Sequence, residues 1–479
     1  MLVSNFFSKY AQMSPVAKAA IWFTFCSFFQ QGISLLTTPV FTRILSESDY
    51  GLVAVYNSWL GLLTVFCTLN LSGGVFNNGM VAYEKNRDKY VASMQGLSIV
   101  ITAVIFAVYC VFNDFWDQMI SLPPLLVQLM FIQILMIPPV NFWMVRQRFE
   151  LKYKALVVIT ICMSVLTPIL GILFIAISSD KALGQIVSFV LIQVVFGFLL
   201  MIYQFIKGKS FFDKTAWLFA LKFNIPLLPH YLALMVLNQI NRILINNYYG
   251  SVEAGLFSIA FSAANLIAVL ISAVNATLVP WAYGKYKNNK HSEMQSVAVN
   301  LTIVMSCAML LMVIIAPEIV AILAPASYYE AVILIPPMAI GFLFTFVSYL
   351  TGTIEFYYES TGGVAAASVL CALLNIIIGI AVIPRFGYES AAYVTLICYV
   401  LWSLMRFLNM KHILKKKNIA NKPFSGVKVY SIIILFSAMA FFVLSLYNLP
   451  FYIRYILVIS MIIIGIILRK KILDVLSLK

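Results

Sequence analysis

The sequence predicts an all-α polytopic membrane protein, and three observations predict it. Apolar residues fill 62% of the 479 positions and charged residues only 10%, with a mean hydropathy of +0.97. The apolar residues fall in repeated continuous runs of about 18 or more, the length that spans a bilayer. Continuous rather than alternating runs exclude a membrane β-barrel. Finally, the basic residues between the runs sort to one side when the loops are assigned alternately to the two faces.

Taken in order, Ser14-Pro15 reads as an N-cap followed by a first-turn proline and opens the first span. Before it, Phe6, Phe7, Lys9 and Tyr10 suit a short interfacial segment, and no cleavage site of small residues follows. Fourteen spans are expected, at 16–42, 48–70, 90–112, 122–145, 153–177, 183–206, 222–247, 253–279, 294–316, 328–351, 362–383, 388–410, 427–447 and 450–469. An even number puts both termini on one face. With that face cytoplasmic, the opposite loops hold only Arg43, Lys181, Arg385 and Arg454, and Arg242 alone lies well inside a span. Every other Lys and Arg then faces the cytoplasm, so both termini are placed inside. The net charge of +15 is accordingly an orientation and anionic-lipid signature rather than a nucleic-acid face. One expected cytoplasmic loop, 352–361, is atypical: it carries Glu355 and Glu359 and no base.

The long polar stretches are 70–89, 207–216 and 411–428, and none is large enough for a catalytic domain. They divide the chain into a six-helix lobe at 1–206, a linker at 207–216, a second six-helix lobe at 217–410, a basic loop at 411–426 and two further helices with a tail at 427–479. Two short echoes support duplication. TRILSESDYG (42–51) resembles NRILINNYYG (241–250) at an offset of 199, and DYGLV (49–53) resembles EAGLF (253–257) at 204. Six spans per unit is even, so the two lobes are expected as parallel repeats about a pseudo-twofold axis normal to the membrane.

The chemistry-bearing residues concentrate in four spans. Asn238, Asn241 and Arg242 share one face of the seventh. A cation there costs about 2.5–3.5 kcal/mol on insertion scales, so it should face protein or water rather than lipid. Two readings are open: an Arg satisfied by neighbouring amides and carbonyls, or a cationic spot placed to meet an anionic substrate. Polar stripes also run along the first span (Gln31, Ser34, Thr38), the second (Asn57, Thr64) and the eighth (Ser258, Ser262, Asn265, Ser272). Any one stripe can simply stitch helices together. Four at matching places in two halves point to a shared, water-accessible cavity. Prolines Pro39, Pro226, Pro229 and Pro280 fall in or beside these spans, where they kink or end helices.

Other chemistries find little support. The seven cysteines, Cys26, Cys67, Cys110, Cys162, Cys307, Cys371 and Cys398, lie in apolar runs without a CxxC pair and read as small packers. His230 has no second ligand at metal spacing, and His291 and His412 read as solvated loop residues. Asp114 and Asp117 read as a solvated outer loop. No nucleotide-binding, zinc-protease or serine-hydrolase motif is present, so neither an enzyme nor a cofactor or metal is expected.

Three stretches resemble a known family. TPVFTRILSESDYGLVAVYN (38–57), the segment 224–265 and IPRFGYESAAYVTLICYV (383–400) look like the corresponding parts of polysaccharide and O-antigen flippases. These belong to the multidrug/oligosaccharidyl-lipid/polysaccharide exporter superfamily. Asn241 stands where family members commonly carry Asp before the Arg. The resemblance implies two six-helix lobes, with spans 1, 2, 7 and 8 lining a central cavity. It implies transport of undecaprenyl-diphosphate-linked oligosaccharides for O-antigen, lipopolysaccharide, capsule or a similar glycan, by alternating access across the bacterial inner membrane. The expected substrate contacts are Arg242, Asn238, Asn241, Gln31, Ser34, Thr38, Asn57, Ser262 and Asn265. The expected partners are the lipid-linked oligosaccharide, a coupling ion (proton or sodium) and a polysaccharide polymerase, with no nucleic acid and a monomeric state. The rival readings are an ion-coupled multidrug exporter of the same fold, which would want acids in the cavity, and a membrane polysaccharide polymerase, which would want a large outer loop or a catalytic His/Asp set.

Overall fold

The structure, a computed structural model, describes residues 13–288, 290–419, 423–447 and 449–467. The expected interfacial segment around Phe6, Phe7, Lys9 and Tyr10 lies outside the described residues. Among those described there is no strand, and thirteen helical stretches are long and apolar enough to cross a membrane. The last expected span forms a shorter helix of 17 residues. The all-α, multi-span reading is correct.

Packing divides the chain into two compact units between Leu232 and Ala233. The first contains α1 (Pro15–Ile44), α2 (Glu47–Thr68), α3 (Gly74–Ala82), α4 (Arg87–Val111), α5 (Asn113–Ile120), α6 (Pro124–Phe149), α7 (Tyr153–Ile177), α8 (Lys181–Gly208) and α9 (Lys214–Asn224), and α10 (Leu228–Tyr248) crosses the division. The expected start signals operate: the Ser14 hydroxyl accepts from the Ala17 N–H at 3.2 Å, and Ser46 and Asp49 form a reciprocal capping box. In this unit α8 packs along both α6 and α7. Gly197 permits the closest approach, because a Cβ there would lie 2.5 Å from the Met136 carbonyl oxygen. Gln193 and Gln204 of α8 donate to the carbonyls of Met136 and Pro139 at 2.7 and 2.8 Å, which fixes the register.

Two polar stretches are more ordered than their composition implies. Within 70–89, α3 buries Val75, Phe76, Gly79 and Met80 against Tyr90, Phe142, Ala216 and Ala220. The 207–216 stretch is likewise no free linker. Lys89 pairs with Asp213 at 2.8 Å, Trp217 donates to the Ser93 carbonyl at 2.9 Å, and Asn224 donates to the carbonyls of Leu69 and Asn70. Helix α9, expected in the second lobe, therefore packs on the first unit. Its apolar Ala216 and Ala220 reach a core that only the folded chain assembles.

The second unit contains α11 (Ser251–Lys287), α12 (Met294–Ile314), α13 (Ala316–Leu323), α14 (Ile335–Tyr357), α15 (Thr361–Phe386), α16 (Ser390–Lys416), α17 (Gly426–Leu446) and α18 (Phe451–Ile467). Here α16 packs along α14 and α15, as α8 does along α6 and α7. With α10 counted in the second unit, a short helix follows the third long helix of each, α5 in one and α13 in the other. The repeat also resolves the two competing echoes. Helix ends Ile44 and Tyr248 are 204 residues apart, and so are helix starts Glu47 and Ser251. The 204 register is thus the structural one, and the Arg-Ile-Leu match at 199 is coincidental. Gly51 and Gly255 are both buried within helices, whereas Gly250 sits in the turn at φ 110°, which favours glycine.

Three loop assignments are corrected. Glu355 lies in α14, fully buried, and pairs with Arg406 of α16, a residue placed at a cytoplasmic span end. Arg454, assigned to an outer loop, is buried against Glu318 and the Ile314 carbonyl. His291 is buried rather than solvated: it stacks on Tyr286 at 5.0 Å and bonds the Tyr358 hydroxyl at 2.9 Å. Tyr286 apart, each partner lies tens of residues away in sequence, beyond the reach of a local reading.

Candidate functional site

Helix α10 carries Arg242, the cation singled out from the sequence. Arg242 lies six residues before Tyr248, so about 9 Å inside the end of the helix. Its Nη1 donates to the Gln239 side-chain oxygen at 2.8 Å, one turn back. Its guanidinium carbon stands 4.5 Å from the centroid of the Phe261 ring of α11. A hydrogen bond to a charged group contributes about 1.5–3 kcal/mol and a cation–π contact up to about 2 kcal/mol. Together these offset most of the cost of placing the cation in a membrane helix.

The surroundings close on themselves. Phe261 meets Phe342 of α14 edge-on at 5.3 Å, and Phe342 meets Tyr399 of α16 at 5.7 Å. The Tyr399 hydroxyl donates to Asn238 of α10 at 3.3 Å, one helical turn from Arg242. Four helices thus contribute to one circuit of a guanidinium, two amides and three aromatic rings. The aromatic members carry no signal in the sequence, because Phe and Tyr recur throughout the apolar runs.

The predicted site residues separate into groups. Asn238 is exposed and Arg242 half-buried, on the same side of α10. Asn241 is only 4% exposed and donates to the Thr395 hydroxyl of α16 at 2.8 Å, so it holds α10 against α16. On α11, Asn265 is exposed and Ser262 half-buried, while Ser258 is buried and bonds its own helix. In the first unit Gln31, Ser34 and Asn57 are exposed, and Thr38 is half-buried with its hydroxyl on the Ser34 carbonyl at 2.9 Å. Tyr56 explains the orientation of Asn57: its hydroxyl is buried against Gln133 of α6 at 2.7 Å, which leaves the next side chain pointing outward. In the 204 register, Ser34 and Thr38 occupy the places of Asn238 and Arg242. Each unit therefore carries a polar pair at the same turn of its first helix, and only the second pair is charged.

Comparison with known proteins gives this arrangement its setting. Residues 16–284, more than half of the chain, match the family described as polysaccharide biosynthesis protein. The chain belongs to this family. The matched region runs from α1 through most of α11 and includes every candidate contact residue. "Lsg locus putative protein 1" of Haemophilus influenzae is 27% identical over 77 residues, which is 16% of this chain and 19% of that protein. The chain thus spans about a fifth of that relative's length. Among solved structures, the lipid II flippase MurJ in an inward closed conformation aligns with a TM-score of 0.69 at 16% identity, covering 94% of this chain and all of that one. An inward-facing multidrug resistance MATE transporter of the MOP superfamily aligns at 0.64 with 13% identity, over 81% of this chain and 96% of the other. A MOP superfamily transporter from Pyrococcus furiosus aligns at 0.55 with 13% identity, over 85% and 98%. The chain shares its fold with that lipid II flippase and those transporters.

Proposed function

We propose that the protein is a flippase that carries undecaprenyl-diphosphate-linked oligosaccharide units across the bacterial cytoplasmic membrane by alternating access. The single observation that carries the reading is Arg242, a half-buried cation on a membrane helix, framed by Phe261 and the amides of Gln239 and Asn238. A diphosphate-sugar head is anionic and heavily hydrated, so hydrocarbon alone is a very costly path for it. A guanidinium replaces part of that hydration with paired, charge-assisted hydrogen bonds to phosphate oxygens. Exposed amides at Gln31, Asn57, Asn238 and Asn265, with Ser34, Thr38 and Ser262, offer sugar hydroxyls further partners. Asn241 supports the site by bonding Thr395. Outward movement of the negative head runs with an inside-negative potential, about 2.3 kcal/mol per charge per 100 mV.

A drug-exporting reading would want an acid for cationic ligands. Glu355 is instead bonded to Arg406 and Asn409.

The test is export of the glycan per molecule of membrane-inserted protein. Arg242→Ala is expected to abolish export at normal protein abundance. Normal export per molecule in that variant would refute the reading.

A further inference from the structure

A cavity of about 1100 Å³ opens within the second unit between α14, α16 and α17. Helix α16 forms its long wall, with Val400, Leu404, Phe407 and Lys411 recurring on one face. Phe344 of α14 and Ile434 of α17 contribute further apolar wall.

The mouth has a different chemistry. Lys411 and Lys415 line it one turn apart, and both are exposed. The Lys411 ammonium stands over the Phe407 ring at 4.8 Å, which holds the charge at the opening. Ser425 and Gly426, also in the lining, begin α17, so the positive end of that helix faces the same mouth. A Cβ at Gly426 would run into the Phe407 ring, which keeps the start of α17 hard against the lysine-bearing helix.

Length and charge together select the occupant. Eleven residues separate Val400 from Lys411, about 17 Å of helix. A hydrocarbon core is about 30 Å thick, so the slot is about one leaflet deep. An apolar slot one leaflet deep beneath paired ammonium groups fits an acyl chain carrying a phosphate at its head. We infer that this slot holds one anionic phospholipid as a resident ligand, with its phosphate at Lys411 and Lys415 and an acyl chain against Leu404 and Ile434. The site is separate from the Arg242 circuit and does not depend on the transport reading.

The full chain, reconstituted in nanodiscs of equal phosphatidylethanolamine and phosphatidylglycerol, is released into a native mass spectrometer. One phosphatidylglycerol is expected to stay bound in preference to phosphatidylethanolamine. The double variant Lys411→Glu, Lys415→Glu should lower the phosphatidylglycerol-bound fraction about ten-fold. Leu404→Trp keeps both charges and fills the slot, and it should also lower the fraction; it decides the matter if the double variant does not fold. Equal retention of the two lipids, or retention untouched by Leu404→Trp, would overturn the assignment. So would a prenyl-linked phosphate found in place of phospholipid on protein taken directly from its host membrane.

Discussion

Arg406 donates from Nε to Glu355 Oε2 at 2.9 Å and from Nη2 to the same oxygen, while Asn409 donates to Oε1 at 2.7 Å. Both charged side chains are buried in the second unit, at 5% and 0% exposure. Breaking such a pair leaves one charge uncompensated, at a cost of about 3–5 kcal/mol. Arg406→Ala and Glu355→Ala should each lower the melting temperature in detergent and the amount of protein in the membrane. The double variant Arg406→Met, Glu355→Met should sit closer to the parent than either. Single variants as heat-stable as the parent would contradict the pairing.

Arg242→Lys keeps the charge and loses the planar fork, so export per molecule should fall about ten-fold without vanishing. Phe261→Leu removes the ring beneath the guanidinium and should produce a loss of similar size. Asn241→Ala, which breaks the bond to Thr395, should instead reduce protein abundance and leave export per molecule intact. Glycan export normalised to immunoblotted membrane protein separates the three. An Asn241→Ala variant that loses export at full abundance would move Asn241 into the contact site.

Glycine 197 sets the distance between α6 and α8. Overpacking at that crossing costs about 1–3 kcal/mol, so Gly197→Ala should destabilise and Gly197→Val more so. Gly32, with nothing within 4 Å of an added Cβ, is the control, and Gly32→Ala should be neutral. Thermal unfolding of the purified proteins ranks them. Equal melting temperatures for Gly32→Ala and Gly197→Val would show that α6 and α8 do not meet this closely.

Asp213 docks α9 through its bond to Lys89 and through the N–H groups of Ala216 and Thr215, and these hold its carboxyl below the ordinary value of 3.8. A depressed folded pKa contributes stability that is fully present above the unfolded value and is lost as pH falls through the folded one. Docking of α9 should therefore be flat from pH 5 to 8 and weaken only below about 3.9. Fluorescence of Trp217, anchored on Ser93, reports it in a variant lacking the other tryptophans. Lys89→Ala should shift the acid transition to higher pH. A transition near neutrality in the parent would point to another group.

A reagent that bridges cysteines at positions 89 and 213 should leave transport at its normal rate, because α9 already rides on the first unit. Arrest by that bridge would show that 207–216 has to move during transport.

What could be read from sequence follows from the range of each force. Span positions depend on runs of apolar residues, a local property, and nearly every expected span has a matching helix. Caps are local too, as Ser14 and Ser46 show. The pairs Glu355–Arg406 and Arg454–Glu318 join distant segments, and the sequence carries only an indirect trace of the first: an acid in a stretch without a base. Arg242 stood out because one cation in an apolar run is visible without tertiary information. Its aromatic frame did not, since Phe261, Phe342 and Tyr399 look like ordinary apolar filling until three helices bring them together. Asn241 and Arg242 are adjacent in sequence, yet packing turns one toward α16 and the other toward Phe261.

Helix α11 runs for 37 residues, about 56 Å, while a bilayer with its headgroups measures about 40–45 Å. With its first turn, directly after the Gly250 bend, set at one face of the bilayer, the surplus falls at the Lys285–Lys287 end. Trp281, with Lys285 5.3 Å from its ring, then falls at headgroup level, where indole rings settle. The helix acts as a ruler laid through the membrane, and Trp281 is its graduation mark: the colour of its emission would tell where the lipid stops.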